Sequence, residues 1–228
     1  MQNSLGVLQR TSHDGVRQNG AVPTCEPSPA ARVVVFDAMG VLYRAADDVT
    51  ELLIPYLAEL GTPRTPAEIR EVYRRASLGE LTSAELWAAC APAGEPPGRS
   101  GDDVSYCARH ELVPGIVALL GDLRQRGVPV ACLSNDVSEW SVILRRRFGL
   151  EDLVTWWVIS GDIGVRKPAP GAFEAVVGAT GVPPAHLVFF DDRRDNVAGA
   201  AAAGLDAVQF TDVDAARAAL VERGLLPG

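Results

Sequence analysis

The sequence predicts an α/β protein, a doubly wound parallel sheet with a small α-helical cap, and three observations predict it. Short apolar, β-branched runs such as Val33-Val34-Val35-Phe36 stand between charge and turn signals, as strands buried on both faces do. Strand-like and helix-like patterns alternate from residue 115 to the end. The stretch from 45 to 110 breaks that rhythm, with helical patterns and no strand-like run.

Residues 1–31 are polar, with early glycines and then Pro23, Pro27 and Pro29, and show neither helical nor strand periodicity. A disordered N-terminal arm is expected there, with Ser12-His13-Asp14 a chance tripeptide. Val33 to Phe36 forms the first strand. Helical patterns follow near 47–60, 66–78 and 82–91, then a Pro/Gly-rich loop from 91 to 101. The simplest account is a helical cap over 45–110, inserted into a core made of 32–44 and 111–228. Ligands of such sheets bind outside the carboxyl ends of the strands, so the insertion is placed to act as a lid. Strands are then expected at 128–133, 153–159, 187–190 and 207–210. Helices are expected at 115–126, 137–148, 170–179, 195–203 and 213–223.

The chain has 228 residues and a formal charge of −8, which argues against a nucleic-acid groove or an anionic membrane surface as partner. No apolar run approaches the roughly 20 residues that span a bilayer. Cys25, Cys90, Cys107 and Cys132 show no metal-ligand spacing, and no secretory signal is evident, so a cytoplasmic location is expected. Oligomeric state is not legible. Of the 21 basic residues, Lys167 is the only lysine.

Polar residues stand where strands end: Asp37 after the first, Ser134-Asn135-Asp136 after the second, and Asp191-Asp192 after the fourth. The loop after the third carries Lys167-Pro168. Each alone is an ordinary helix cap or turn. Together they suit phosphoryl transfer through an aspartyl intermediate. Asp37 is the candidate nucleophile. A magnesium ion held by Asp37, Asp191 and Asp192 would relieve its repulsion from a phosphate dianion. Ser134 and Asn135 can donate to phosphate oxygens, and Lys167 can neutralise charge.

This set resembles the haloacid dehalogenase-like superfamily. Its first motif stands here as Asp37-Ala38-Met39-Gly40-Val41-Leu42, followed in order by Leu133-Ser134-Asn135, Lys167-Pro168 and Phe189-Phe190-Asp191-Asp192. The extension to Asn196 and Gly204 is similar to the branch of sugar-phosphate phosphatases and the N-terminal phosphatase domain of epoxide hydrolases. The resemblance implies a Rossmann-like core, a small helical cap, Mg2+ and a small phosphorylated substrate. One position departs: the family's usual second Asp, which protonates the leaving oxygen, is Met39, and a thioether cannot do this. Its backbone carbonyl remains available as a metal ligand. Three readings stay open: a phosphatase acting on a substrate with a good leaving group, a dehalogenase-type enzyme, or a non-catalytic binder of a phosphorylated ligand or a protein. Imine chemistry is excluded for want of a second lysine.

Other residues carry weaker expectations. Arg145-Arg146-Arg147 reads as a solvated helix face, Asp136 as a helix cap, and His186 as structural. Asp195 caps its helix or holds a metal-bound water, while Arg193 and Arg194 lie between surface charge and loop bracing. Substrate selection is assigned to Arg64, Arg70, Arg74, Arg75, Trp87 and His110 in or near the cap.

Overall fold

The computed structural model describes residues 32–92 and 102–228. The arm expected over 1–31 and most of the loop expected over 91–101 lie outside the described residues. Strands β1 (Val33–Phe36), β2 (Val130–Ser134), β3 (Trp156–Ile159), β4 (Leu187–Asp191) and β5 (Asp206–Gln209) form one parallel sheet. The order is β3-β2-β1-β4-β5, with Val34 paired to Val130 on one side and to Val188 on the other. The chain winds outward from β1 through β2 to β3, then returns to the far side of β1 for β4. The direction therefore reverses between β1 and β4, where open α/β sheets bind their ligands.

Burial explains which runs became central strands. Every side chain of β1, β2 and β4 is buried, whereas edge strand β5 is part-exposed. Val34 and Phe36 point into one layer, Val33 and Val35 into the other, as the period of two requires. Helices α5 (Ile116–Gln125), α6 (Ser138–Arg147) and α10 (Val213–Glu222) cover the first layer. Helices α8 (Pro170–Thr180) and α9 (Arg194–Ala202) cover the second. Each fully buried Val or Phe contributes roughly 1.5–3 kcal/mol over exposure.

Between β1 and α5 the described residues form helices and no named strand. A π-helical turn (Val49–Leu53) runs into α1 (Ile54–Glu59), followed by α2 (Pro66–Ala76), α3 (Ser83–Cys90) and α4 (Asp103–Cys107). Thr65 with Glu68, and Thr82 with Glu85, close reciprocal capping boxes that start α2 and α3. The short α4, capped by Asp102, was not anticipated, because its single turn shows no apolar period. The four-residue helix α7 (Ser160–Ile163) escaped for the same reason.

This helical segment shares one hydrophobic cluster with the first layer of the core. Trp140 of α6 packs 4.4 Å from Tyr106 and 5.5 Å from Trp87. The Trp87 and Trp140 indoles both donate to Asp103 Oδ1 at 2.7 Å. Gly79, at φ +73°, lets the turn after α2 press on the core, since a Cβ there would lie 2.4 Å from the Gly161 carbonyl oxygen. No helix of the described residues is long and apolar enough to cross a membrane.

Candidate active site

Asp37 leaves the carboxyl end of β1, its backbone N–H donating to the Phe190 carbonyl at 2.9 Å. Adjacency of β1 and β4 therefore brings Asp37 beside Asp191. Lys167 enters between them, its Nζ 2.7 Å from Asp37 Oδ1 and 2.7 Å from Asp191 Oδ2. All three side chains are buried. Asp191 also accepts from the Arg193 backbone N–H at 2.9 Å and from Asn196 Nδ2 at 3.0 Å. Asn196 is a site residue to which sequence reasoning gave no role. Its place on the first turn of α9 is the signal that points to it.

The Asn135 side chain is already engaged. Its Oδ1 accepts from the Lys167 backbone N–H at 2.8 Å, and its Nδ2 donates to the Lys167 carbonyl at 2.9 Å. The carboxamide thus braces the lysine segment instead of being held free for phosphate. Ser134 borders the cavity, and its Oγ is buried without a hydrogen-bond partner among the described residues. Arg166 bonds Ser77 Oγ and lies over the Tyr73 ring, while Tyr73 donates its hydroxyl to the Asn135 carbonyl at 2.9 Å. These contacts tie α2 to the loops carrying Asn135 and Lys167.

Burial pulls the Lys167 pKa down, but Asp37 and Asp191 overcome it and leave it above the usual lysine value. Burial pushes Asp37 well above the carboxylate range, opposed by Lys167 and reinforced by Asp191. Both directions follow from the charge sum: one ammonium between two carboxylates leaves an excess negative charge that burial resists. Asp192 is raised too, by burial and then by Asp191.

A divalent cation would reverse that excess, and the residues fit one. Asp37, Asp191 and Asp192 each offer a carboxylate oxygen within 4.8 Å of the others. Asp192 Oδ1 is buried without a hydrogen-bond partner. Carboxylate oxygens are the hard donors magnesium takes. Gly40, at φ +77°, makes room for this set, because a Cβ there would lie 2.6 Å from Asp192 Oδ2. Met39 is buried and borders the cavity.

The cavity over these groups holds about 200 Å³. Asp37, Ser134, Asn135, Lys167, Asp192 and Asn196 line its sheet side, and Asp47, Asp48, Val49 and Tyr73 its helical side. None of the six residues to which substrate selection was assigned borders it. Arg64 donates to the Ala89 carbonyl, Arg70 to Thr50, Arg74 to Glu71 and Arg75 to Glu80. Trp87 and His110 are buried. Spacing along a helix gives the side a residue shares, not what that side faces.

Two further expectations change, and Asp195 gains a partner. Arg147 is not purely solvated: it donates to the Cys107 and His110 carbonyls at 2.8 Å, and Arg145 stacks over Trp157. Asp136 does not cap α6 in the usual way. Its Oδ1 accepts from the adjacent Val137 N–H, and burial holds its pKa well above the carboxylate range. Asp195 pairs with Arg193 at 2.9 Å.

A buried carboxylate–ammonium cluster beside an oxygen-donor set, at the switch point of a parallel sheet, is the candidate active site of a protein of the doubly wound α/β class. The chain belongs to the haloacid dehalogenase-like hydrolases, whose family model matches residues 31–204. It is 30% identical to the phosphoglycolate phosphatase of Pseudomonas putida (strain KT2440), over 89% of this chain and 81% of that one. It is 29% identical to phosphoglycolate phosphatase 1 of Pseudomonas aeruginosa, over 79% and 69%. A HAD family enzyme of Bacteroides thetaiotaomicron, solved with magnesium and inorganic phosphate, shares the fold at a TM-score of 0.66 and 20% identity, over 79% of this chain and 93% of that one. The L-2-haloacid dehalogenase of Xanthobacter autotrophicus shares it at 0.55 and 22%, over 86% and 85%.

Proposed function

We propose that this hydrolase is a magnesium-dependent phosphatase of small phosphorylated metabolites, working through an aspartyl-phosphate intermediate under a helical cap formed by residues 45–110. The observation that carries the reading is the Asp37–Lys167–Asp191 cluster with Asp192 Oδ1 and Ser134 Oγ left unpartnered beside it. Asp37 supplies the attacking carboxylate oxygen. Lys167 neutralises Asp37 and the incoming phosphoryl group, and Asn135 keeps that lysine in place from below. Ser134 Oγ donates to a phosphate oxygen. Magnesium, when bound by Asp37, Asp191, Asp192 and the Met39 carbonyl, supplies charge neutralisation for the transferred phosphoryl group. The relatives named for phosphoglycolate support a small phosphate ester as substrate. The buried free thiols Cys90, Cys107 and Cys132 suit a reducing compartment, the cytoplasm.

The test is phosphate release from a panel of phosphate esters, with and without magnesium, beside Asp37→Asn and Met39→Asp. Magnesium-dependent release abolished by Asp37→Asn is the expected result. If wild type and Met39→Asp are both folded and inert on every phosphate, the reading fails. Halide release from 2-haloacids without magnesium would establish dehalogenase chemistry instead.

A further inference from the structure

The phosphatase reading leaves one chemical role unfilled. Met39 borders the cavity, and its side chain is a thioether, which can neither give nor take a proton. The carboxylates bordering the cavity can be sorted by what already holds them. Asp37 and Asp192 belong to the oxygen-donor set with Asp191. Asp47 accepts the Thr50 backbone N–H at 3.1 Å and its hydroxyl at 2.5 Å. Asp195 is paired with Arg193. Asp48 remains.

Asp48 borders the cavity with its side chain only 6% exposed. Its Oδ2 accepts from the Tyr106 hydroxyl at 3.0 Å. Its Oδ1 meets no hydrogen-bond donor among the described residues. No Lys or Arg among them pairs with it, and His110 Nε2 is 3.9 Å from Oδ2, beyond hydrogen-bond reach. Tyr106 is itself fixed among Trp140, Trp87 and Tyr56, so the carboxylate is held in one place by a rigid partner. One oxygen serves the buried Tyr106 hydroxyl, and the other is left without a protein donor among the described residues.

We propose that Asp48 is the catalytic proton carrier of this site, doing from the cavity's helical wall what residue 39 cannot. The proposal rests on the phosphatase reading. In the first half, an Asp37 oxygen bonds to phosphorus while the bond from phosphorus to the leaving oxygen breaks, and the Asp48 carboxyl gives its proton to that oxygen. In the second half, a water oxygen bonds to phosphorus and the bond from phosphorus to Asp37 breaks. The water's proton passes to the Asp48 carboxylate, so inorganic phosphate leaves and both side chains return to their starting states.

The experiment compares wild type with Asp48→Asn, which keeps an oxygen for Tyr106, in the full chain with magnesium. One substrate is 4-nitrophenyl phosphate, whose aryloxide leaves without a proton; the other is glycerol phosphate, whose alkoxide does not. Asp48→Asn is expected to lower kcat on the alkyl ester about 10²–10⁴-fold. The first turnover of the aryl ester should stay within about tenfold of wild type, since only the second half needs the missing base. Adding Met39→Asp to Asp48→Asn should recover alkyl-ester turnover. Unchanged kcat on the alkyl ester overturns the proposal, as does a rise in KM alone, which would make Asp48 a binding residue. Equal losses in the first turnover of both esters also overturn it. If Asp48→Asn does not fold, Tyr106→Phe carries the same expectation in weaker form: alkyl-ester kcat lowered at least about tenfold with the aryl first turnover retained. Wild type inert on both esters removes the phosphatase reading and Asp48's role with it. Active wild type with an indifferent Asp48→Asn removes only the latter.

Discussion

On the sheet side of the cavity, Lys167 lies 2.7 Å from both Asp37 and Asp191, and Asn196 and the Arg193 N–H take up the rest of Asp191. On the helical side, Asp48 accepts one hydrogen bond from Tyr106, while both ring nitrogens of His110 and the Tyr43 hydroxyl are buried without partners among the described residues. Both regions take polar groups out of water, but only the first compensates them. Burying three ionisable groups costs several kcal/mol each before their mutual attraction is counted. The sheet-side cluster offsets that cost with short, multiple contacts. The helical-side groups form a looser set, with one carboxylate oxygen left for whatever enters the cavity.

The contrast is broken most severely by Lys167→Met. It leaves two buried carboxylates facing each other, so a stability loss of about 3–5 kcal/mol is expected in urea unfolding, with phosphate release lost as well. Magnesium should recover part of the stability by replacing the missing positive charge. An unchanged urea midpoint would show that the cluster is not electrostatically coupled.

Gly40→Ala comes next. The added methyl meets the Asp192 carboxylate at 2.6 Å and the backbone holds φ at +77°, so a loss of about 1–3 kcal/mol is expected. Magnesium-induced stabilisation, followed by melting temperature, should shrink at the same time. If stability falls but the magnesium response is intact, Asp192 does not contribute to the ion site.

His110→Phe sharpens the helical side. Because neither ring nitrogen has a partner, the change should lie within about 1 kcal/mol of wild type, in either direction. A loss on the order of 3 kcal/mol would mean that His110 is charged and paired with Asp48, making the two clusters alike.

Arg223→Ala should have the smallest effect. Arg223 holds Asp206 at 2.7 Å and keeps its pKa below the ordinary carboxylate value. A depressed pKa contributes stability above the unfolded value and loses it as pH falls through the folded one. The variant should therefore cost less than about 1 kcal/mol at neutral pH, with the difference beginning to shrink only below about pH 4 and gone once pH is under the depressed value of Asp206.

Much of the fold is legible because it is local. Four buried β-branched or aromatic residues in a row read as β1 wherever they occur, and the helices over 116–125 and 213–222 keep their apolar period. The site was legible at Asp37, Ser134, Lys167, Asp191 and Asp192 because each stands at or just beyond a strand end or in the loop after β3. Asn135 also stands in that loop, but that its carboxamide clasps the Lys167 backbone was not legible, since a carboxamide's hydrogen bonds depend on what lies across from it. Substrate selection was assigned to six residues of the helical segment and its border, from Arg64 to His110, whereas the chain lines the cavity with Asp47, Asp48 and Val49, where no periodicity marks a face.

Periodicity, strand-end chemistry and the single ammonium at position 167 are properties of a few neighbouring residues, and the sequence by itself determined them. Only the tertiary structure decided that β4 lies against β1, which joins Asp37 to a carboxylate 154 positions later, and that Asp48 turns inward while Asp47 caps its own turn. Such adjacencies come from the packing of the whole chain around one sheet, where distant segments compete for the same buried surface.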